Sequence, residues 1–178
     1  KHSQVLVVSS FNPGSGKTFL TMNLAASLAI KGKRILVIDG DLRHGSTSAY
    51  VGSPKKGLSD YLGERLGQLD EIIRPVPDYA NLFILPTGTI PPNPTELLAT
   101  ERFVTVINSF RKEFDYILID CPPVELVADT QIIESQADRM LFVVRTGLLE
   151  RSMLNELEFF YKEKKFKNMA LVLNGTEV

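Results

Sequence analysis

FNPGSGKT, residues Phe11 to Thr18, decides the fold of this chain. It follows an apolar run, VLVVSS (Val5–Ser10), and precedes a helical pattern beginning at Thr18. The usual phosphate loop is G-x-x-x-x-G-K-[ST]. Gly16, Lys17 and Thr18 are in place, but Phe11 stands where the first glycine belongs. The context is nevertheless what a phosphate loop requires, because backbone N–H groups and a helix N-terminus then point at the anion. Gly14 and Gly16 let the backbone curl without Cβ clashes. Lys17 can reach the β- and γ-phosphates, and the Thr18 hydroxyl can ligate Mg²⁺.

Working outward, RILVID (Arg34–Asp39), NLFILP (Asn81–Pro86), DYILID (Asp115–Asp120), RMLFVV (Arg139–Val144) and MALVLN (Met169–Asn174) read as further strands. They are near-continuously apolar rather than alternating, as a parallel sheet covered on both faces requires. Helical patterns separate them. Thr18–Ile30 is apolar almost all round and reads as a buried helix, with Gly32 suited to a C-terminal cap. Asn93-Pro94-Thr95-Glu96 reads as a helix start, and Phe103, Ile107, Phe110 and Phe114 form one apolar stripe on the helix that follows. Asp129–Gln136 and Glu150–Lys165 also read as helices. Gly45–Asp78 is rich in Gly, Pro and Ser, with weak helix signals at Leu58–Leu62 and Leu66–Ile73, and reads as a partly irregular insertion. The expectation is an α/β P-loop NTPase fold: a mostly parallel, doubly wound sheet flanked by helices.

Composition agrees with one such domain over residues 1–178. The chain is 44% hydrophobic and 23% charged, enough for one sizeable core. A net charge of -1 gives no reason to expect nucleic acid as a partner. The single cysteine, Cys121, excludes an internal disulfide and fits a reducing compartment. No uninterrupted apolar run is long enough to span a bilayer, and no signal peptide pattern is present. The first residue is Lys1 and strand-like sequence follows at once, so the chain is expected to be a domain of something longer.

Two further strand ends carry acids. ILVIDGDLR (Ile35–Arg43) ends in Asp39, Asp41 and Arg43. Ligands in open α/β sheets collect at the carboxyl ends of strands, so both carboxylates should face the crevice of the phosphate loop. One could hold Mg²⁺ while the other accepts a proton from a substrate hydroxyl. ILIDCPPV (Ile117–Val124) places Asp120 after four apolar residues, like a Walker B strand, and Pro122-Pro123 fixes an extended exit. Cys121 reads as a small buried apolar residue, His44 as a solvated loop residue, and Lys162, Lys164, Lys165 and Lys167 as a solvated helix-end run.

Taken together, these residues resemble the bacterial tyrosine kinases of capsular and exopolysaccharide biosynthesis. That family's phosphate loop, S-x-x-P-G-x-G-K-[ST], is matched by Ser10, Pro13, Gly14, Gly16, Lys17 and Thr18, and does not hold the position of Phe11 to glycine. Its Walker A′ pattern, D-x-D-x-R, is matched by Asp39, Asp41 and Arg43, and its D-x-P-P by Asp120, Pro122 and Pro123. Gly88–Phe103 is also similar to the family's segment before Walker B. The resemblance implies an ATP- and Mg²⁺-dependent protein-tyrosine kinase. Pro13, Gly14, Ser15, Gly16, Lys17, Thr18 and Phe19 would bind nucleotide, with Asn174 on the adenine side. Thr18, Asp41 and Asp120 would organise Mg²⁺, and Asp39 would be the base, with Lys17 and Asp41 completing the catalytic set.

The resemblance also implies tyrosine substrates on neighbouring subunits, a ring-forming homo-oligomer, and a cytoplasmic position at the inner membrane face through an anchored segment or partner. The chain has no tyrosine after Tyr161 and lacks the family's E-x-x-R-x-x-R assembly helix, so either both ends are trimmed or the acceptor is on another protein. Partitioning ATPases of the Min/Par type are the main alternative. They carry a signature lysine where this chain has Asn12, and favour Pro-Gln where it has Leu42-Arg43. A non-catalytic ATP-binding regulator of polysaccharide chain length is the other alternative.

Overall fold

The computed structural model describes residues 3–124 and 127–176. Its centre is a seven-stranded sheet: β1 (Gln4–Ser10), β2 (Ile35–Asp39), β3 (Arg74–Pro75), β4 (Leu82–Leu85), β5 (Tyr116–Asp120), β6 (Arg139–Arg145) and β7 (Met169–Asn174). The spatial order is β3-β4-β2-β5-β1-β6-β7. All neighbours are parallel except the β3–β4 pair.

The apolar runs are continuous because the sheet has two covered faces. In β2, Ile35 and Val37 pack with Met22, Ala25 and Ala29 of helix α1 (Lys17–Ile30). The alternate residues Leu36 and Ile38 enter the opposite layer, with Phe103, Ile107 and Phe110 of α4 (Glu101–Phe110). Strand side chains alternate faces, so a strand between two layers must be apolar at every position. Ile133 of α5 (Val127–Glu134) and Leu157 and Phe160 of α6 (Met153–Lys162) join that second layer.

Several expectations need correction. Helix α1 buries one face rather than its whole circumference, since Phe19 and Ile30 are 65% and 75% exposed. Its end is as expected: Gly32 takes φ 76°, and the Lys33 N–H returns to the Leu28 carbonyl. The helix expected after Asn93 is two helices, α3 (Pro94–Leu98) and α4, and Phe114 lies beyond the end of the second. Helix α6 is shorter than Glu150–Lys165. Leu58–Leu62 is helical as expected and forms α2, whereas Leu66–Ile73 is not helical. Arg102 donates to the Leu66 carbonyl there at 3.4 Å, and to the Tyr61 carbonyl of α2 at 3.1 Å. The short edge strand β3 escaped the sequence reading because it contains Pro75, which only an edge tolerates. Strand β7, at the other edge, leaves Leu171 and Leu173 exposed, because among the described residues no layer covers that part of it. No helix of the described residues is long and apolar enough to cross a membrane.

Candidate nucleotide site

The carboxyl ends of β1, β2 and β5 lie side by side at the sheet's centre, and each delivers one of the sequence's chemical patterns to the same crevice. A cleft of about 630 Å³ opens there between Pro13, Gly16 and Phe19 on one side and Asp41, His44 and Pro123 on the other.

The phosphate loop takes its shape from two glycines. Gly14 and Gly16 have φ of 74° and 92°, a left-handed region that side chains disfavour. A Cβ on Gly16 would also collide with the Asn174 amide. Phe11 has no such backbone demand. Its ring turns away from the cleft into the core, with centroids 4.9 Å from Phe142 and 5.6 Å from Phe160. The first glycine is therefore replaceable, because this loop curls only at its last two glycines. The Ser10 and Ser15 hydroxyls both donate to the Asn12 carbonyl at 2.8 Å, closing the turn.

Lys17 Nζ donates to Ser10 Oγ at 3.2 Å. Burial lowers its pKa, and the charges of Asp120 and Asp41 oppose that shift. The Thr18 hydroxyl donates to Asp120 Oδ2 at 2.6 Å, and that of Thr47 donates to the same oxygen at 2.7 Å. Asp39 is fully buried, and its Oδ2 receives the Ser48 N–H at 2.7 Å and the Ser48 hydroxyl at 2.6 Å. Asp39 and Asp120 are register partners on β2 and β5, two acids placed directly abreast. Burial pushes the Asp39 carboxyl up to about 7 against the pull of the Ser48 bonds, and the Asp120 and Asp41 charges add to the rise. Burial also raises Asp120, opposed by the Thr18 and Thr47 bonds and by Lys17.

Asp39 Oδ1 and Asp120 Oδ1 are buried and have no hydrogen-bond partner. Unpaired buried carboxylate oxygens are costly; a hard cation would satisfy that of Asp120, and a proton that of Asp39, whose carboxyl is raised to about 7. Among the described residues no group of three or more His, Cys, Asp or Glu side chains forms a self-sufficient metal cage. Mg²⁺ needs no such cage, being held by one or two carboxylates together with substrate phosphates.

Asp41 stands apart from Asp39. It lines the cleft, and its carboxylate receives the Arg43 and His44 backbone N–H groups at 3.1 and 3.2 Å. His44 Nδ1 lies 3.0 Å from Asp41 Oδ2, so this loop histidine is tied to the site rather than merely solvated. Asn174 donates its amide to the Ser15 carbonyl at 2.9 Å and accepts the Gly175 N–H, so it clasps the phosphate loop. Cys121 is buried and its thiol is pushed up by burial. In the lysine run, Lys162 pairs with Glu158 at 2.6 Å and Lys165 lies over the Phe160 ring.

Three contributors were missed in the sequence. Thr47 and Ser48 lie in the stretch read as irregular, where hydroxyls after an acidic strand end were the available signal. Arg145, at the end of β6, donates to the Gly14 carbonyl at 2.8 Å, and nothing in its local sequence announces that.

The AAA domain family model matches residues 3–170. EpsB of Ralstonia solanacearum is 38% identical over 168 residues, covering 94% of this chain and 22% of that protein. The tyrosine-protein kinase CpsD of Streptococcus pneumoniae serotype 4 is 34% identical over 181 residues, covering 98% of this chain and 77% of CpsD. The kinase domain of the Escherichia coli tyrosine kinase ETK superposes with a TM-score of 0.88 at 30% identity, covering 98% of this chain and 68% of that one. This chain belongs to the bacterial tyrosine kinase family of capsular and exopolysaccharide biosynthesis. The fold is shared more widely. The septum site-determining protein MinD of Pyrococcus horikoshii, solved with Mg-ADP, gives a TM-score of 0.78 at 25% identity, over 96% of this chain and 70% of MinD. The chain spans about a fifth of the length of EpsB.

Proposed function

We propose that this chain is the kinase domain of an ATP- and Mg²⁺-dependent protein-tyrosine kinase that regulates the synthesis and export of a capsular or extracellular polysaccharide. One observation carries the reading: Asp39 and Asp120 hold unpartnered buried oxygens abreast of each other, beside a loop that presents Lys17 and Thr18.

Placement supports the following roles. Residues Pro13 to Phe19 cradle the phosphates through backbone N–H groups and the α1 N-terminus. Asn174 sits on the adenine side. Thr18, Asp41 and Asp120 would hold Mg²⁺, which would supply neutralisation of phosphate charge. Lys17 stabilises charge building on the transferred group. Asp39 accepts the proton of the incoming tyrosine hydroxyl, and a carboxyl held near 7 suits a base at neutral pH.

A second assignment within the same reading rests on a specific observation. Asp41 lines the cleft whereas Asp39 is enclosed behind it, so Asp41 could take the base's role. The acceptor tyrosines lie on other proteins, including neighbouring subunits of a ring. The domain works at the cytoplasmic face of the membrane, beside an anchored segment or partner protein. The Min/Par alternative is disfavoured by Asn12, which stands where those ATPases carry lysine.

The full-length protein supplied with Mg-ATP is expected to acquire phosphotyrosine, and Lys17→Ala to abolish it. Hydrolysis of ATP without phosphotyrosine, on the protein or on a supplied tyrosine peptide, would transfer the reading to a nucleotide switch. Asp39→Asn is expected to keep ATP affinity and lose about 10²–10⁴ in transfer rate. If Asp41→Asn behaves that way and Asp39→Asn does not, the base is Asp41.

A further inference from the structure

The Walker A′ arginine points out of the cleft, and what it meets there has no role in the site as described. Arg43 Nε and Nη2 donate to Oδ2 of Asp129, on α5, at 3.2 and 3.1 Å. Nη2 also donates to Thr95 Oγ1, on α3, at 3.2 Å. The Thr95 hydroxyl donates in turn to Asp129 Oδ1. Both oxygens of Asp129 are engaged, and its side chain is only 4% exposed. Asp129 and Thr95 thus grip a guanidinium that starts from the loop between β2 and α2.

We propose that Asp129 and Thr95 are positioning residues for Mg²⁺: by anchoring Arg43 they fix the loop backbone that aims Asp41. The link is direct. The Arg43 N–H donates to Asp41 Oδ1 at 3.1 Å and the adjacent His44 N–H at 3.2 Å. A guanidinium engaged at two nitrogens cannot swing without carrying its own backbone, and that backbone holds the carboxylate. The pair also keeps a mobile cation out of the cleft. Released, Arg43 would be free to compete with Mg²⁺ for Asp41, two residues before it. Outer partners of metal-binding carboxylates commonly tune metal affinity in this way. Neither residue touches the reacting atoms, so neither is catalytic. The inference rests on the nucleotide-site reading given above.

The test is a Mg²⁺ titration of N-methylanthraniloyl-ATP binding to the full-length protein, with thermal melting as the folding control. Thr95→Val removes the hydroxyl at nearly constant volume, and Thr95→Ser retains it. In Asp129→Asn and Thr95→Val the Mg²⁺ needed for half-maximal tightening is expected to rise about tenfold, and in Thr95→Ser to stay within about twofold of the parent. A clip that served only stability would lower the melting temperature and leave the Mg²⁺ requirement unmoved. An unchanged Mg²⁺ requirement in Thr95→Val, or equal impairment in Thr95→Ser, overturns the proposal, and this pair decides even if Asp129→Asn fails to fold. If Mg²⁺ does not tighten nucleotide binding in the unsubstituted protein, the nucleotide-site reading itself falls, and the clamp with it.

Discussion

At Asp39 and Phe11, residue identity and surroundings pull in different directions. Asp39 is an ordinary strand-end acid in the sequence, yet burial holds its carboxyl near 7 in the folded state, above the ordinary 3.8. A raised carboxyl pKa means that the folded state binds the proton more tightly than the unfolded chain does. Its stabilising contribution is therefore complete below about 4 and disappears as pH rises through about 7. Without Mg²⁺, Asp39→Asn is expected to flatten that part of the melting-temperature profile and to melt above the parent at pH 8, where the parent keeps a buried charge. Melting scans from pH 4 to pH 8 in EDTA check this, and a parent-like slope in the variant would reject it. Phe11 works the other way. It is 3% exposed among aromatic rings, so Phe11→Ala should cost about 3–5 kcal/mol in a denaturant titration. Its backbone bears no left-handed strain, so the phosphate loop's curl should survive the change.

Helix α2 shows how an element that looks weak in the sequence can be firmly held. It spans only Leu58–Leu62, too short to persist by itself. It is held because Gly57 passes against the turn after β4. A Cβ on Gly57 would run into the Pro86 carbonyl and the Gly88 N–H, both backbone atoms that cannot yield. Asp60 accepts the Gly57 and Thr89 N–H groups at 3.1 and 3.0 Å, locking the crossing. Gly57→Ala should therefore destabilise the protein by at least about 2 kcal/mol, read as a lower denaturation midpoint. A parent-like midpoint would mean that the crossing opens freely. Leu66–Ile73 failed as a helix for a related reason. Its apolar spacing was genuine, and Ile72 is fully buried, but its backbone is not helical and the Leu66 carbonyl receives the Arg102 side chain instead of a backbone N–H. Amphipathic spacing reports which residues are buried, not which partner takes the backbone.

For the whole molecule, the parallel sheet brings three strand ends together, and ligand binding there should stabilise the entire domain. Saturating Mg-ATP at about 100 times its Kd adds about 2.7 kcal/mol. For a chain of this size that is a rise of roughly 5–10 °C in melting temperature. The rise should vanish in Lys17→Ala, and should shrink when EDTA removes the metal. An equal rise in the variant would place the nucleotide elsewhere. The sequence by itself determined the fold class, the phosphate loop and the three strand-end acids. Their signals are local: two-face burial writes continuous apolar runs, and phosphate chemistry needs glycines, Lys17 and Thr18 at fixed offsets. Only the tertiary structure decided which acid faces the cleft and which is sealed behind it. Asp39 and Asp41 are one residue apart, and what separates them is the hydrogen bonding of Ser48 on one side and the open cleft on the other. It alone also joined Arg43 to Asp129 across 86 positions, because a guanidinium finds its carboxylate through packing that no local pattern records.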